Sequence, residues 1–123
     1  MIEHNTASTR DLSAAFLNEI DQIIGLSNLK RGDAVANLDY GVTPANFGAD
    51  AVAFPSSPHE VASIIKTAVA HVISVVPQGG RTGLVGGGVS VPGQIVVSTA
   101  RLNRIVEIYP DERVAVVEAG VTL

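Results

Sequence analysis

Seven of the chain's twelve glycines fall between Pro77 and Gly93, six of them in the run Pro77-Gln78-Gly79-Gly80-Arg81-Thr82-Gly83-Leu84-Val85-Gly86-Gly87-Gly88. The run follows Val72-Ile73-Ser74-Val75-Val76, an apolar stretch that reads as a buried strand. Glycines clustered at a strand end free the backbone to adopt positive φ and let its N–H groups approach a ligand closely. Successive N–H groups turned inward form a concavity that binds anions, phosphates above all. A flexible connector is the plainer alternative, but ordering so many glycines costs backbone entropy from which a connector gains nothing. The expected chemistry is phosphate or diphosphate binding.

Two familiar phosphate motifs fail on their residues. Gly83 and Gly88 have the glycine spacing of Gly-x-x-x-x-Gly-Lys-Ser/Thr, but Val89 and Ser90 follow, so the lysine is missing. Gly86 and Gly88 could open Gly-x-Gly-x-x-Gly, but Val91 stands where the third glycine belongs, and Pro92-Gly93 continue as loop rather than helix.

The elements around the run must position it. Asp11 to Ile24 reads as a helix, with Leu12, Phe16, Ile20, Ile23 and Ile24 at helical spacing and Gly25 at the C-cap. Ser27 to Gly48 lacks a period and reads as an irregular connection with at most a short helix. Ala51-Val52-Ala53-Phe54, stopped by Pro55, reads as a buried strand. Ser57, Pro58 and Glu60 then give an N-cap, a first-turn proline and a capping box. Val61, Ile64, Ile65, Ala68 and Val69 form the apolar face of the helix that follows, which His71 ends. Strand, helix and strand make a βαβ unit with parallel strands. Gln94–Ser98, Ile105–Tyr109 and Val114–Glu118 read as three further short strands, the last two an antiparallel hairpin around Pro110-Asp111-Glu112-Arg113. The expected class is α+β: an N-terminal helix, a βαβ unit and a following antiparallel strand meander.

Composition narrows the function. At 123 residues, 46% hydrophobic and 16% charged, the chain has the size and apolar content of one folded domain. A formal net charge of −4 argues against a general nucleic-acid binder, and the lack of cysteine excludes disulfides and thiolate metal sites. His4, His59 and His71 have no metal-ligand spacing and read as structural or solvated; no metal site is expected. The first residues lack a signal peptide's basic and apolar regions, and no apolar stretch approaches the roughly 20 residues of a membrane span. A cytoplasmic protein without a transmembrane segment is expected. The chain stops just after a strand-like run, so it reads as the N-terminal part of something longer.

From about Asp50 to Leu123 the sequence resembles the flavoproteins built like vanillyl-alcohol oxidase, with the FAD-binding fold called PCMH-type. The resemblance rests on Val75-Val76-Pro77-Gln78-Gly79-Gly80, on Thr82-Gly83 with Gly86-Gly87, on Arg101-Leu102-Asn103-Arg104-Ile105 after Ile95-Val96-Val97-Ser98, and on Glu118-Ala119-Gly120-Val121. Within that family it is most similar to the D-2-hydroxy-acid dehydrogenase branch, which includes D-lactate dehydrogenase, the glycolate oxidase FAD subunit and D-2-hydroxyglutarate dehydrogenase.

The resemblance implies a lead-in segment over residues 1–49 and the first part of an FAD-binding domain over 50–123. It implies that Gly79, Gly80, Thr82 and Gly83 wrap the FAD diphosphate, that Pro77 fixes the loop entry, and that Leu84, Gly86 and Gly87 pass near the flavin end. Thr82 could add a hydroxyl donor or could bond its own backbone. Arg81 could neutralise the diphosphate, or point to solvent or another domain. Some relatives attach FAD through a histidine near this point; Arg81 and Thr82 stand here, which implies non-covalent FAD. The implied reaction oxidises a D-2-hydroxy acid to the 2-oxo acid and passes electrons to an acceptor. The family's substrate-binding and catalytic residues lie in a later domain, so no catalytic residue is expected in this chain. A non-catalytic or inactive phosphate-binding module, and the related reductase of cell-wall precursor synthesis, are the alternatives.

Overall fold

A computed structural model describes residues 11–123; the readings that fall on the first ten residues, His4 among them, lie outside it. Helix α1 spans Ala14–Ile24, strand β1 Leu29–Arg31, the short helix α2 Asp33–Ala36, and strand β2 Ala51–Ala53. Helix α3 spans Pro58–Ala70, followed by strands β3 Val75–Gln78, β4 Ile95–Ser98, β5 Ile105–Tyr109 and β6 Val114–Val117. Strands β1 to β4 form one sheet in the order β1-β2-β4-β3, while β5 and β6 form a separate antiparallel pair.

The first sheet is mixed. β4 lies parallel to both neighbours, Ala51 opposite Ile95 on one side and Val75 opposite Ile95 on the other, and β1 closes the edge antiparallel to β2. The βαβ unit therefore exists, but its two strands are not adjacent: β4 is inserted between them. This corrects the expectation that β4 opens an antiparallel meander; of the three strands after the glycine run, only β5 and β6 pair antiparallel. The reason is burial. All four residues of β4 are buried, as suits a strand covered on both faces rather than one in a half-exposed meander.

Alternation divides the core in two. Ala51, Ala53, Ile95 and Val97 face α1 and α3, where Phe16, Ile20, Ile24, Ile64 and Ala68 meet them. Val52, Val76 and Val96 face the opposite side, covered by Val35, Ala49, Leu38, Phe47 and Phe54. The period of two along each strand assigns these sets to the two faces.

Local chemistry sets the element ends. The Ser13 hydroxyl accepts from the Phe16 N–H at 3.1 Å, so α1 begins at Ala14, three residues later than the expected Asp11. At α3 the Ser57 hydroxyl accepts from Glu60 N–H, but the Glu60 carboxylate reaches back to Ser56, accepting from its N–H at 2.7 Å and its hydroxyl at 3.0 Å. The capping box is thus displaced by one residue from its usual reciprocal form. Within α3 only Ile64 and Ala68 are buried; Ile65 and Val69 are exposed, because the helix turns a narrower stripe to the sheet than the apolar residues span. Val72 is exposed and left-handed (φ +56°), which breaks the expected Val72–Val76 strand and delays β3 to Val75. β1 is a strand inside the segment expected to be irregular; three residues are too few to show a period.

The β5–β6 ribbon is exposed along its whole length, with Ile105, Val106, Ile108, Val114 and Val116 all substantially accessible. Two of the sequence motifs tie its base. Glu118 N–H donates to the Arg104 carbonyl at 2.9 Å, and Glu118 Oε1 accepts from the Arg104 N–H and Nε at 2.9 and 3.0 Å. Gly120 N–H donates to the Leu102 carbonyl at 2.7 Å, an approach so close that a Cβ at Gly120 would lie 1.8 Å from the Thr99 carbonyl oxygen. The Arg104 side-chain and backbone donors hold the Glu118 carboxyl below its ordinary value of 4.5.

The packing implies that Ile64→Ala costs roughly 2–5 kcal/mol of stability in urea unfolding while Ile65→Ala stays within about 0.5 kcal/mol. A second expectation concerns acid. A carboxyl whose folded pKa is depressed contributes stability above its unfolded value and loses it as pH falls through the folded one. Below pH 4.5 the urea midpoint of Glu118→Gln should therefore decline less steeply than that of the unsubstituted chain; parallel curves would show that the Arg104 pair is not the acid-sensitive contact.

Candidate functional site

The glycine run leaves the carboxyl end of β3 and must return to the amino end of β4, because those strands are parallel. Residues 77–83, with Asn46 and Gly88, enclose a cleft of about 190 Å³. The Gln78 carbonyl accepts from Thr99 N–H at 3.0 Å, which closes the base of the cleft onto the end of β4. Clefts at the carboxyl ends of parallel strands are the usual ligand positions in open α/β sheets.

Donors dominate this cleft. The N–H groups of Gly80, Arg81, Thr82 and Gly83 donate to no acceptor among the described residues. Arg81 Nε is buried without a partner, and Arg81 Nη1 reaches only the Gly79 carbonyl at 3.4 Å. No carboxylate lines the cleft. A Cβ placed on Gly80 or Gly83 would meet no atom within 4 Å, so these glycines keep space open for something other than protein. Unpaired N–H groups beside open space, with one cation and no carboxylate, suit an anionic group such as a diphosphate; Gln78 Oε1 is the one unpaired acceptor in the lining.

Gln78 and Asn46, which also line the cleft, belong to a buried polar network that the sequence did not signal. Gln78 is 3% exposed and Asn46 4%. Gln78 Nε2 donates to the carbonyls of Asn46 at 2.9 Å and Gly88 at 3.3 Å, while its Oε1 is buried without a partner. The Ser90 hydroxyl donates to the same Asn46 carbonyl at 3.1 Å and accepts from Ala49 N–H at 3.0 Å; Asn46 Nδ2 donates to the Tyr40 carbonyl at 2.8 Å. The network joins residues 40–49 to both limbs of the glycine run. Asn46 sits in a 3-10 turn, Pro44–Phe47, capped by the Thr43 hydroxyl. Such a turn carries no periodicity; the one local hint was Thr43-Pro44, a capping residue before a first-turn proline.

Of the residues expected at the site, Pro77, Gly79, Gly80, Arg81, Thr82 and Gly83 line the cleft. Leu84 and Val85 form an exposed tip, 87% and 98% accessible, and Gly86 and Gly87 follow on the outer limb, outside the cleft. The positive φ expected of the run's glycines occurs between Gly79 and Gly88 at Gly86 (φ +88°), while within the cleft it falls on Arg81 (φ +61°). His71 pairs with Glu19 and sits edge-on to Phe16, ring centroids 5.4 Å apart, on the helical side of the sheet. No group of three metal-ligating side chains occurs among the described residues, nor any helix long and apolar enough to cross a membrane.

A mixed sheet thus carries, at the carboxyl end of β3, a glycine crossover with unpaired N–H groups. Residues 49–123 match the FAD binding domain family; the chain belongs to that family, and FAD is its cofactor. It is 42% identical over 73 residues to D-2-hydroxyglutarate dehydrogenase of Xanthomonas citri pv. viticola, covering 59% of this chain and 16% of that protein. It is 37% identical over 107 residues to D-lactate dehydrogenase of Archaeoglobus fulgidus, covering 87% of this chain and 23% of that one. The chain thus spans less than a quarter of these relatives. Its fold is similar to part of p-cresol methylhydroxylase, with a TM-score of 0.75 over 93% of this chain and 24% of that structure at 20% identity. The PCMH-type fold implied by the sequence motifs is present.

The network carries a stability expectation. Ser90→Ala leaves the buried Ala49 N–H without an acceptor, which costs about 1–3 kcal/mol in urea unfolding; a loss below about 0.5 kcal/mol would show that water replaces the hydroxyl.

Proposed function

We propose that the full-length protein oxidises a D-2-hydroxy acid of the lactate, glycolate or 2-hydroxyglutarate class to its 2-oxo acid, and that this chain supplies the part of the FAD site that holds the diphosphate. The observation that carries the reading is the set of four consecutive unpaired N–H groups, Gly80 to Gly83, around a cleft free of carboxylates. The substrate class follows the two dehydrogenases to which the chain is similar over 73 and 107 residues. Residues 1–49 act as a lead-in whose 40–49 stretch backs the cleft. Pro77, Gly79, Gly80, Arg81, Thr82 and Gly83 contact the diphosphate, and Leu84, Gly86 and Gly87 extend toward the flavin. Bound FAD supplies the two-electron acceptor, held non-covalently. The chain's own work is binding and orientation: backbone dipoles fixed before the ligand arrives meet its charge without reorganisation. An electron acceptor is the further partner. The protein works in the cytoplasm.

The purified full-length protein should carry a flavin spectrum or gain one with added FAD, and should reduce it with a D-2-hydroxy acid but not the L-enantiomer. A colourless protein that gains no flavin absorbance would overturn the reading. Gly80→Val, which fills the open side of the cleft without meeting a protein atom at its Cβ, should weaken FAD binding far more than Arg81→Ala while leaving the flavin-free melting temperature nearly unchanged. Equal or reversed losses of affinity would overturn the Gly80 backbone as the main diphosphate contact.

A further inference from the structure

Arg81 is the one residue within the cleft whose backbone is left-handed, and it carries a side chain. Left-handed backbone is disfavoured for any residue with a Cβ, so something outside must hold it. That support comes from the segment ahead of β2. Val42 N–H donates to the Arg81 carbonyl at 3.2 Å. Gly41, itself at φ +71°, comes so close that a Cβ there would lie 2.3 Å from the Arg81 carbonyl oxygen and 2.6 Å from the Arg81 Cβ. Asp39 Oδ1 accepts from Gly41 N–H at 3.0 Å and shapes the turn that delivers it. The guanidinium is engaged far more weakly, with a single 3.4 Å bond to Gly79.

We propose that Arg81 acts on the cofactor site through its backbone, as a positioning residue that Gly41 and Val42 clasp in the left-handed conformation. This rests on the FAD reading above and says which feature of the loop sets its affinity. The peptide planes on either side of Arg81 carry the Arg81 and Thr82 N–H groups. Their relative direction is set by the two backbone angles of that one residue. A residue at positive φ within a turn lets successive N–H groups face a common anion, and in the cleft that residue is Arg81. Returning Arg81 to the right-handed region swings one N–H away from the other and dissolves the convergence. A loop that spends less time left-handed binds more weakly in proportion to the population lost.

The test separates backbone from charge. Arg81→Gly, Arg81→Asn, Arg81→Ala and Arg81→Val all remove the guanidinium but differ in their tolerance of positive φ. In the full-length protein, FAD dissociation constants from flavin fluorescence should rank Gly and Asn tightest, Ala weaker, and Val about tenfold weaker than Gly. Gly41→Ala should also weaken FAD binding although the guanidinium is intact. The flavin-free melting temperature reads folding separately. Should Arg81→Val not fold, Ala against Gly decides the same question. Equal dissociation constants across the series overturn the proposal and assign the effect to charge. Affinity that merely tracks melting temperature overturns it in favour of general fold stability. If the unsubstituted protein binds no FAD at all, the parent reading fails first, and this proposal with it.

Discussion

The insertion of β4 between β2 and β3 is the constraint on which the rest of the molecule depends. Both of its neighbours run parallel to it, so no tight turn can join β3 to β4. The chain must leave one end of the sheet and travel back to the other before β4 can begin. In most βαβ connections a helix makes that return. Here a glycine-rich segment makes it, and the donors that a helix would consume internally stay free. The unpaired N–H groups are thus a by-product of a topological need: the same crossover that lets β4 take the central position presents them at the strand ends.

A crossover without regular structure needs other support, and the molecule supplies it from residues 40–49. The Asn46 carbonyl accepts from both Gln78 and Ser90, one at the exit from β3 and one on the returning limb. A single backbone oxygen therefore registers the two limbs against each other. Burial makes this registration strong, since groups removed from water have no substitute partners. The outer part, at Leu84 and Val85, has no such support and stands clear of the sheet. The hydrogen-bonded support thus falls at the two ends of the loop and not at its tip.

Much of this was legible in the sequence, for physical reasons that differ by element. The start of α3 could be read because Ser57, Pro58 and Glu60 act locally, through bonds to neighbours in the chain. The glycine run could be read because glycine density has few causes. What could not be read depends on distant partners. β4 and β5 are both short apolar runs, and nothing within Ile95–Ser98 says that it enters the parallel sheet while Ile105–Tyr109 stays outside. β1 is too short for periodicity to speak. Ile65 and Val69 belong to the apolar stripe of α3, yet their exposure is decided by how much of that stripe the sheet can cover. Gly41 and Asn46 gain their importance only from Arg81 and Gln78, which lie far along the chain. Arg81 itself shows the limit of composition: amid six nearby glycines, the left-handed position in the cleft went to an arginine because a remote turn holds it there.

The β5–β6 ribbon differs from the sheet in the distance its contacts must span. Tyr109 meets Val114 across a tetrapeptide, whereas Ala51 meets Ile95 only after the chain has passed through α3, β3 and the whole glycine crossover. Closing the short connection is fast, and parallel pairing between remote segments is slow. Loop closure alone therefore favours the ribbon over the sheet. An isolated two-stranded ribbon is marginal in water, so early closure gives it little persistence. The rate at which the glycine crossover closes then sets how soon β4 reaches its place between β2 and β3.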